Sequence, residues 1–193
     1  MEKSYLSHHG VEGQKWGIQN GPPYPLNKTV FVSGSSKTQF KDSLYYRKQL
    51  PKQITKCIDD YIKDNKKIIV GDAPGIDRQV QDYLKSINYN NVTVYSPGKE
   101  TRYIANKQWN NKKVDSSYEI GSSEWLAAKD IEMAKVASEG LAIILDEGSN
   151  ATRNNIKRLI DQNKDVKIYQ LSKEGSQYDK WITDAKRACQ YVD

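Results

Sequence analysis

The sequence predicts an α/β protein: a Rossmann-like three-layer fold with a parallel sheet of about five strands and helices on both faces. Two observations predict it. Short aliphatic runs such as Lys67-Ile68-Ile69-Val70 and Leu141-Ala142-Ile143-Ile144-Leu145 are apolar at consecutive positions, as strands buried on both faces must be. Between these runs lie segments with apolar residues at three- and four-residue spacing, the signature of amphipathic helices. Alternation of the two patterns calls for right-handed crossovers, which bring every strand-to-helix loop to one edge of the sheet.

The elements follow in order. Residues 1–27, rich in Gly, His and Pro, show no sustained apolar period and read as an extended arm. Val11, Trp16, Ile18 and Tyr24 give that arm apolar contacts for the domain or a neighbouring subunit, and a homo-oligomer is expected. The domain proper spans residues 28–172. Thr29-Val30-Phe31-Val32 is the first strand, ended by Ser33-Gly34-Ser35-Ser36. A helix runs from near Pro51 to Asn65, with Ile54, Ile58 and Ile62 as its stripe and Pro51 suited to a first turn. Ile68 to Val70 forms the second strand, and Ile76, Val80, Leu84 and Ile87 mark the next helix. Val92 to Tyr95 is the third strand, stopped by Pro97-Gly98.

Residues 99–126 are polar and aromatic without clear period, too long for an idle loop, and read as a functional insertion. A helix from about Leu126 to Ser138 leads into the strand Leu141 to Leu145. The turn Glu147 to Ala151, a helix carrying Ile156, Leu159 and Ile160, and the strand Val166 to Leu171 complete the sheet. Residues 173–193 read as a helical tail with Trp181, Ala185, Ala188 and Cys189 on one face.

Composition narrows the function. The 193 residues suffice for one domain with short appendages. Mean hydropathy is -0.82. No run approaches the roughly 18 apolar residues of a membrane span, and no apolar leader opens the chain, so a cytoplasmic protein is expected. Cys57 and Cys189 both fall at apolar helical positions and read as buried free thiols rather than a disulfide. The net charge of +6 suits an anionic partner. Basic residues are nevertheless dispersed among acidic ones, without the basic and aromatic stripe of a nucleic-acid groove, so a small anion is favoured over DNA or RNA.

Three polar loops should meet at the carboxyl edge of the sheet, where ligands of such folds bind. They are Ser33-Gly34-Ser35-Ser36, the segment Gly71 to Asp77, and Gly148 to Asn155. Small residues let backbone N–H groups approach an anion, and helix starts add partial positive charge; each loop taken alone reads equally as a tight turn. In the second loop Gly75 supplies backbone freedom, Asp77 reads as a cap or first-turn residue, and Asp72 is placed to accept hydrogen bonds from ribose or base. Gly148, Ser149, Thr152, Arg153 and Asn154 suit phosphate or sugar contacts, or an ordinary helix cap. Arg102, Trp109 and Trp125 either cover a base or simply pack. No cofactor and no metal is expected: His8 and His9 are adjacent but lack companion ligands.

These residues resemble the SLOG superfamily of Rossmann-like nucleotide-ligand domains, and within it the YspA-like branch. The resemblance covers about residues 28–171 and rests on Val32-Ser33-Gly34-Ser35, on Val70 to Asp77, on Arg102 with Trp109, on Lys129-Asp130 with Met133, and on Gly148 to Ile156. It implies binding of nucleotides or NAD-derived signals, with N-glycosidic cleavage in some relatives. The sequence departs from the pattern at Asn150-Ala151, where relatives commonly carry Gly before the residue matching Thr152. It also has Arg153-Asn154-Asn155 where phosphoribohydrolases place a Glu. The catalytic alternative, a nucleotide N-glycosidase or deoxyribosyltransferase, would have to take its carboxylate from Asp72, Glu124, Asp130 or Asp146. The arm segment His8 to Gly17 resembles one that recurs in phage and prophage proteins, which implies viral origin without defining chemistry; for a viral chain, binding a nucleotide-derived ligand would serve to sequester a host immune signal.

Overall fold

The computed structural model describes residues 28–189; the predicted arm, with His8, His9, Val11, Trp16, Ile18 and Tyr24, lies outside the described residues, as do residues 190–193 of the tail. In chain order the elements are β1 (Thr29–Gly34), α1 (Lys52–Lys63), β2 (Lys67–Gly71), α2 (Ile76–Ser86), β3 (Val92–Pro97) and β4 (Asn110–Val114). They continue with α3 (Ser123–Val136), β5 (Glu139–Leu145), α4 (Asn150–Asp161), β6 (Asp165–Leu171), β7 (Lys180–Ile182) and the single turn α5 (Ala185–Ala188). One sheet has the order β4-β3-β2-β1-β5-β6-β7, parallel throughout except for the antiparallel pair β6 and β7.

Side-chain alternation along the strands builds both faces. Val30, Val32, Ile68, Val70, Leu141 and Ile143 point to one side, where Ile54 and Ile58 of α1 and Val80 and Leu84 of α2 cover them. Phe31 and Ile69 point to the other and meet Met133 and Ala134 of α3 and Leu159 of α4. Ala142, Ile144 and Ile168 complete that second face against Ile156 of α4. Each fully buried aliphatic side chain contributes roughly 1.5–3 kcal/mol relative to an exposed one, so the layers hold by area rather than by any single bond.

Among the described residues the sheet has seven strands where the sequence predicts about five, and both additions are strands with a weak apolar signal. β4 lies in the stretch read as an insertion; as an edge strand it leaves most of Asn110-Asn111-Lys112-Lys113 facing solvent and buries only Val114. β7 replaces the start of the expected tail helix. Its Trp181 sits opposite Tyr169 of β6, edge to face with ring centroids 4.9 Å apart, and among the described tail residues α5 is the one α-helical turn, beside a 3-10 turn at Ser176–Tyr178. Pro51 stands at the cap position just before α1 rather than inside its first turn. Cys57 is buried, Cys189 is half-buried, and neither is in a disulfide.

The chain steps outward from β1 through β2, β3 and β4, then returns by α3 on the opposite face to set β5 on the other flank of β1. The order therefore reverses between β1 and β5. In open parallel sheets the crevice at such a reversal is where ligands bind.

Candidate functional site

At the carboxyl end of β1 the chain turns at Ser35, whose hydroxyl accepts from the Lys37 backbone N–H at 3.2 Å and starts a short 3-10 turn over Ser36–Gln39. The start of α2 closes onto this turn. The Ile76 N–H donates to the Ser35 carbonyl at 3.1 Å, and the Gly75 N–H donates to Gln39 Oε1 at 3.0 Å. A β-carbon at Gly34 would lie 2.5 Å from Ile76, and one at Gly75, where φ is +81°, would lie 2.4 Å from the Ser35 carbonyl oxygen. The first and second loops thus meet as the topology requires. The open sides of these two glycines are used to seat α2 on β1 instead of admitting a phosphate.

Gly71, at the end of β2, has a third role. A β-carbon there would lie 2.3 Å from Asp77 Oδ2 and 2.6 Å from Lys129 Nζ, so two ionisable side chains close over its bare backbone. Around it sits a buried polar chain. Asp72 is 0% exposed, and its oxygens accept from the Arg102 N–H at 3.0 Å and from Arg102 Nη2 at 2.5 Å. Asp77 Oδ2 accepts from the Ala73 N–H at 3.3 Å. Lys129 of α3 pairs with Asp130 at 2.5 Å. Asn155 of α4 donates to Ser33 Oγ at 2.9 Å and to Asp130 Oδ2 at 3.1 Å, and accepts from Arg158 Nη1 at 2.6 Å. The Gln81 amide completes the frame, donating to the Gly71 carbonyl at 2.8 Å and accepting from the Ala105 N–H at 3.0 Å, which anchors the loop that carries Arg102.

Burial pushes the Asp77 carboxyl up to about 7, with Asp130 and Asp72 adding to the rise and Lys129 and the Ala73 N–H opposing it. Burial works against the charge on Lys129, yet Asp130, Asp77 and Asp72 together outweigh it and hold the ammonium above its usual range.

On the other flank of the reversal, Gly148 and Ser149 both adopt positive φ, +81° and +66°. The Ser149 hydroxyl turns back to accept from the Leu145 N–H at 3.1 Å, so it makes no capping bond to α4 and the first N–H groups of that helix have no side-chain acceptor from their cap residue. Asn150 and Ala151 are exposed beside them. Lys37 reaches over from the first loop, its Nζ 3.8 Å from the β-position of Gly148. All three loops therefore converge on one rim.

Several expected ligand residues serve the fold. Arg153 is 4% exposed and donates through Nε to the Gly148 carbonyl at 2.8 Å, through Nη2 to the Leu145 carbonyl at 2.9 Å, and through Nη1 to the Ala188 carbonyl. It locks the turn before α4. Trp109 is 4% exposed in the core, and its Nε1 donates to the Tyr89 carbonyl at 3.0 Å. Trp125 stands in the first turn of α3, half-buried against Gly98. Thr152 is buried and Asn154 half-buried, whereas Gly148 is exposed.

The carboxylates considered for catalysis are mostly engaged: Asp72 by Arg102, Asp130 by Lys129 and Asn155, Asp146 by the Tyr45 hydroxyl and the Lys173 N–H, while Glu124 is exposed at the start of α3. Residues that sequence reasoning passed over are Lys37 and Gln81, together with the burial of Asp77 and Lys129; Asn155, expected in the third polar loop, instead links Ser33, Asp130 and Arg158. Lys129 entered the family resemblance beside Asp130, and the signal for its burial was its place directly after Ala127-Ala128 in a helix needing an inward face.

A cavity of about 700 Å³ adjoins the rim at the ends of β5 and β6, lined by Asp146, Gly148, Gln170, Trp181 and Ala188 among others. Among the described residues no cluster of three or more His, Cys, Asp or Glu is disposed to hold a metal ion, and no helix is long and apolar enough to cross a membrane. No family model, curated protein or solved structure matches the chain.

Proposed function

We propose that the protein binds a nucleotide-derived, phosphate-bearing small molecule at this rim, with the phosphate at the start of α4. The observation that carries the reading is the pairing of an uncapped helix start with Lys37 at the reversal between β1 and β5. Backbone N–H groups and the helix dipole, equivalent to about half a positive charge, favour an anion there, and Lys37 adds a full one. On the far side of the rim Arg102 keeps 39% of its side chain exposed while Asp72 fixes its backbone and one guanidinium nitrogen. Asp72 is thus a positioning residue for Arg102 rather than an acceptor of ribose hydroxyls. The adjoining cavity has room for the rest of a nucleotide. The resemblance to nucleotide-ligand domains points to NAD-derived and cyclic nucleotides as the class to test, and engagement of the buried carboxylates supports retention of the ligand over its cleavage. For a phage-encoded chain, retention amounts to sequestering a host signal.

Calorimetry against a panel of NAD-derived and cyclic nucleotides tests the proposal. One ligand should bind, and Lys37→Glu should weaken it at least about tenfold, the effect of reversing a charge beside a phosphate. No binding anywhere in the panel contradicts the proposal. Continued consumption of excess ligand would reassign the protein as an enzyme.

A further inference from the structure

Beneath the rim the charges gathered around buried Asp72, Asp77 and Lys129 do not balance. Lys129 is in contact with Asp130 and Arg102 with Asp72, each at 2.5 Å. Asp77 is the remaining carboxyl, 5% exposed, and among the described residues it has no ion-pair partner of its own and a single backbone N–H, that of Ala73, as hydrogen-bond donor. The groups that face it are Lys129 and Asp130 from α3, Asp72 at the end of β2, and Arg102 behind Asp72. Two positive charges thus stand among three carboxyls. A buried carboxylate without a counter-ion is strongly disfavoured, and a proton removes the excess charge at no cost in packing.

We propose that the rim takes up its anionic ligand together with a proton held on Asp77, so that the ligand binds more tightly in mildly acidic than in alkaline solution. This rests on the binding reading above and adds its regulation. With the proton in place the cluster is neutral. Once it leaves, a net negative charge lies on the β2 flank of the rim whose β5 flank receives the phosphate, and by reciprocity a bound anion holds the proton on. Burial pushes the carboxyl up to about 7, which sets the change within reach of cellular pH. A unit charge roughly 10 Å from a monoanion, at an effective dielectric of about 20 to 40, alters affinity by roughly four- to sixteenfold.

The test is calorimetry on the full chain with ADP-ribose and with 3′,5′-cyclic AMP, whose bridging pyrophosphate and cyclic phosphodiester, respectively, do not titrate between about pH 5.5 and 8.5. Repeating it in buffers of different ionisation enthalpy counts the protons taken up. The expected result is an affinity roughly four- to sixteenfold lower at about pH 8.5 than at pH 6, with proton uptake on binding above neutrality. Asp77→Asn, which keeps the acceptor for the Ala73 N–H, should bind at alkaline pH as tightly as the parent does in acid, with a flat profile. Binding by the parent chain with neither slope nor proton uptake overturns the inference and leaves the site standing. A slope that persists in a folded Asp77→Asn protein also overturns it, because the proton then belongs elsewhere. Failure of both probes and of every other ligand of the panel to bind at any pH removes the site and its regulation together.

Discussion

The two flanks of the β1 end handle polar groups in opposite ways. On the β2 side Asp72, Asp77 and Lys129 lie buried with Asp130 half-buried beside them, and the ion pairs and hydrogen bonds they make are spent on Arg102, Ala73, one another and Asn155. On the β5 side Ser149 turns its hydroxyl away from the helix it precedes, Gly148 and Asn150 are exposed, and Lys37 stands alongside. One flank closes on itself and the other presents donors to solvent. The comparison separates the part of the rim that holds shape from the part that meets a ligand, although both derive from similar-looking polar loops.

If the β2 flank is structural, it should break hard. Lys129→Met leaves Asp130 without its cation and removes a positive charge that faces Asp77, and denaturant unfolding should show a loss of about 3–5 kcal/mol. Asp77 sharpens the same point through pH. Its carboxyl, raised from an ordinary value near 4 to about 7, makes the folded state bind more protons than the unfolded state between those values. Its contribution to stability should therefore decline as the pH rises from about 4 to 7 and stay level above, by an amount on the order of 2–4 kcal/mol. Asp77→Asn should remove that decline, so a variant no more stable than the parent at pH 8 speaks against it. Asn155→Ala, which cuts the link between Ser33, Asp130 and Arg158, should cost about 1–3 kcal/mol. Smallest of all, Lys37→Met on the open flank should change unfolding by no more than about 0.5 kcal/mol while weakening the ligand, and a large loss of stability would erase the distinction between the flanks.

How legible these features were in the sequence follows from where each residue's partners come from. β1, β2 and β5 show plainly because strands buried on both faces are apolar at every position, and their alternation with amphipathic helices fixes the layers. β4 stays hidden because an edge strand keeps polar side chains, and β7 because three residues carry no periodicity. The meeting of the loops follows from parallel topology alone. Their division of labour does not. Gly34, Gly71 and Gly75 look like room for a phosphate, yet the space is taken by Ile76, by Asp77 with Lys129, and by Ser35, all supplied by tertiary packing. Arg153 looks like an open cation for the same reason: nothing in the chain order shows that the Leu145, Gly148 and Ala188 carbonyls surround it.

Amide chemical-shift mapping during titration of the labelled full chain with the tightest ligand of the panel tests the central claim most directly. The account predicts the largest changes at Gly148 to Thr152 and at Lys37, with smaller ones near Arg102. Changes confined to surfaces away from that helix start, or the absence of any change at saturating ligand, would contradict it.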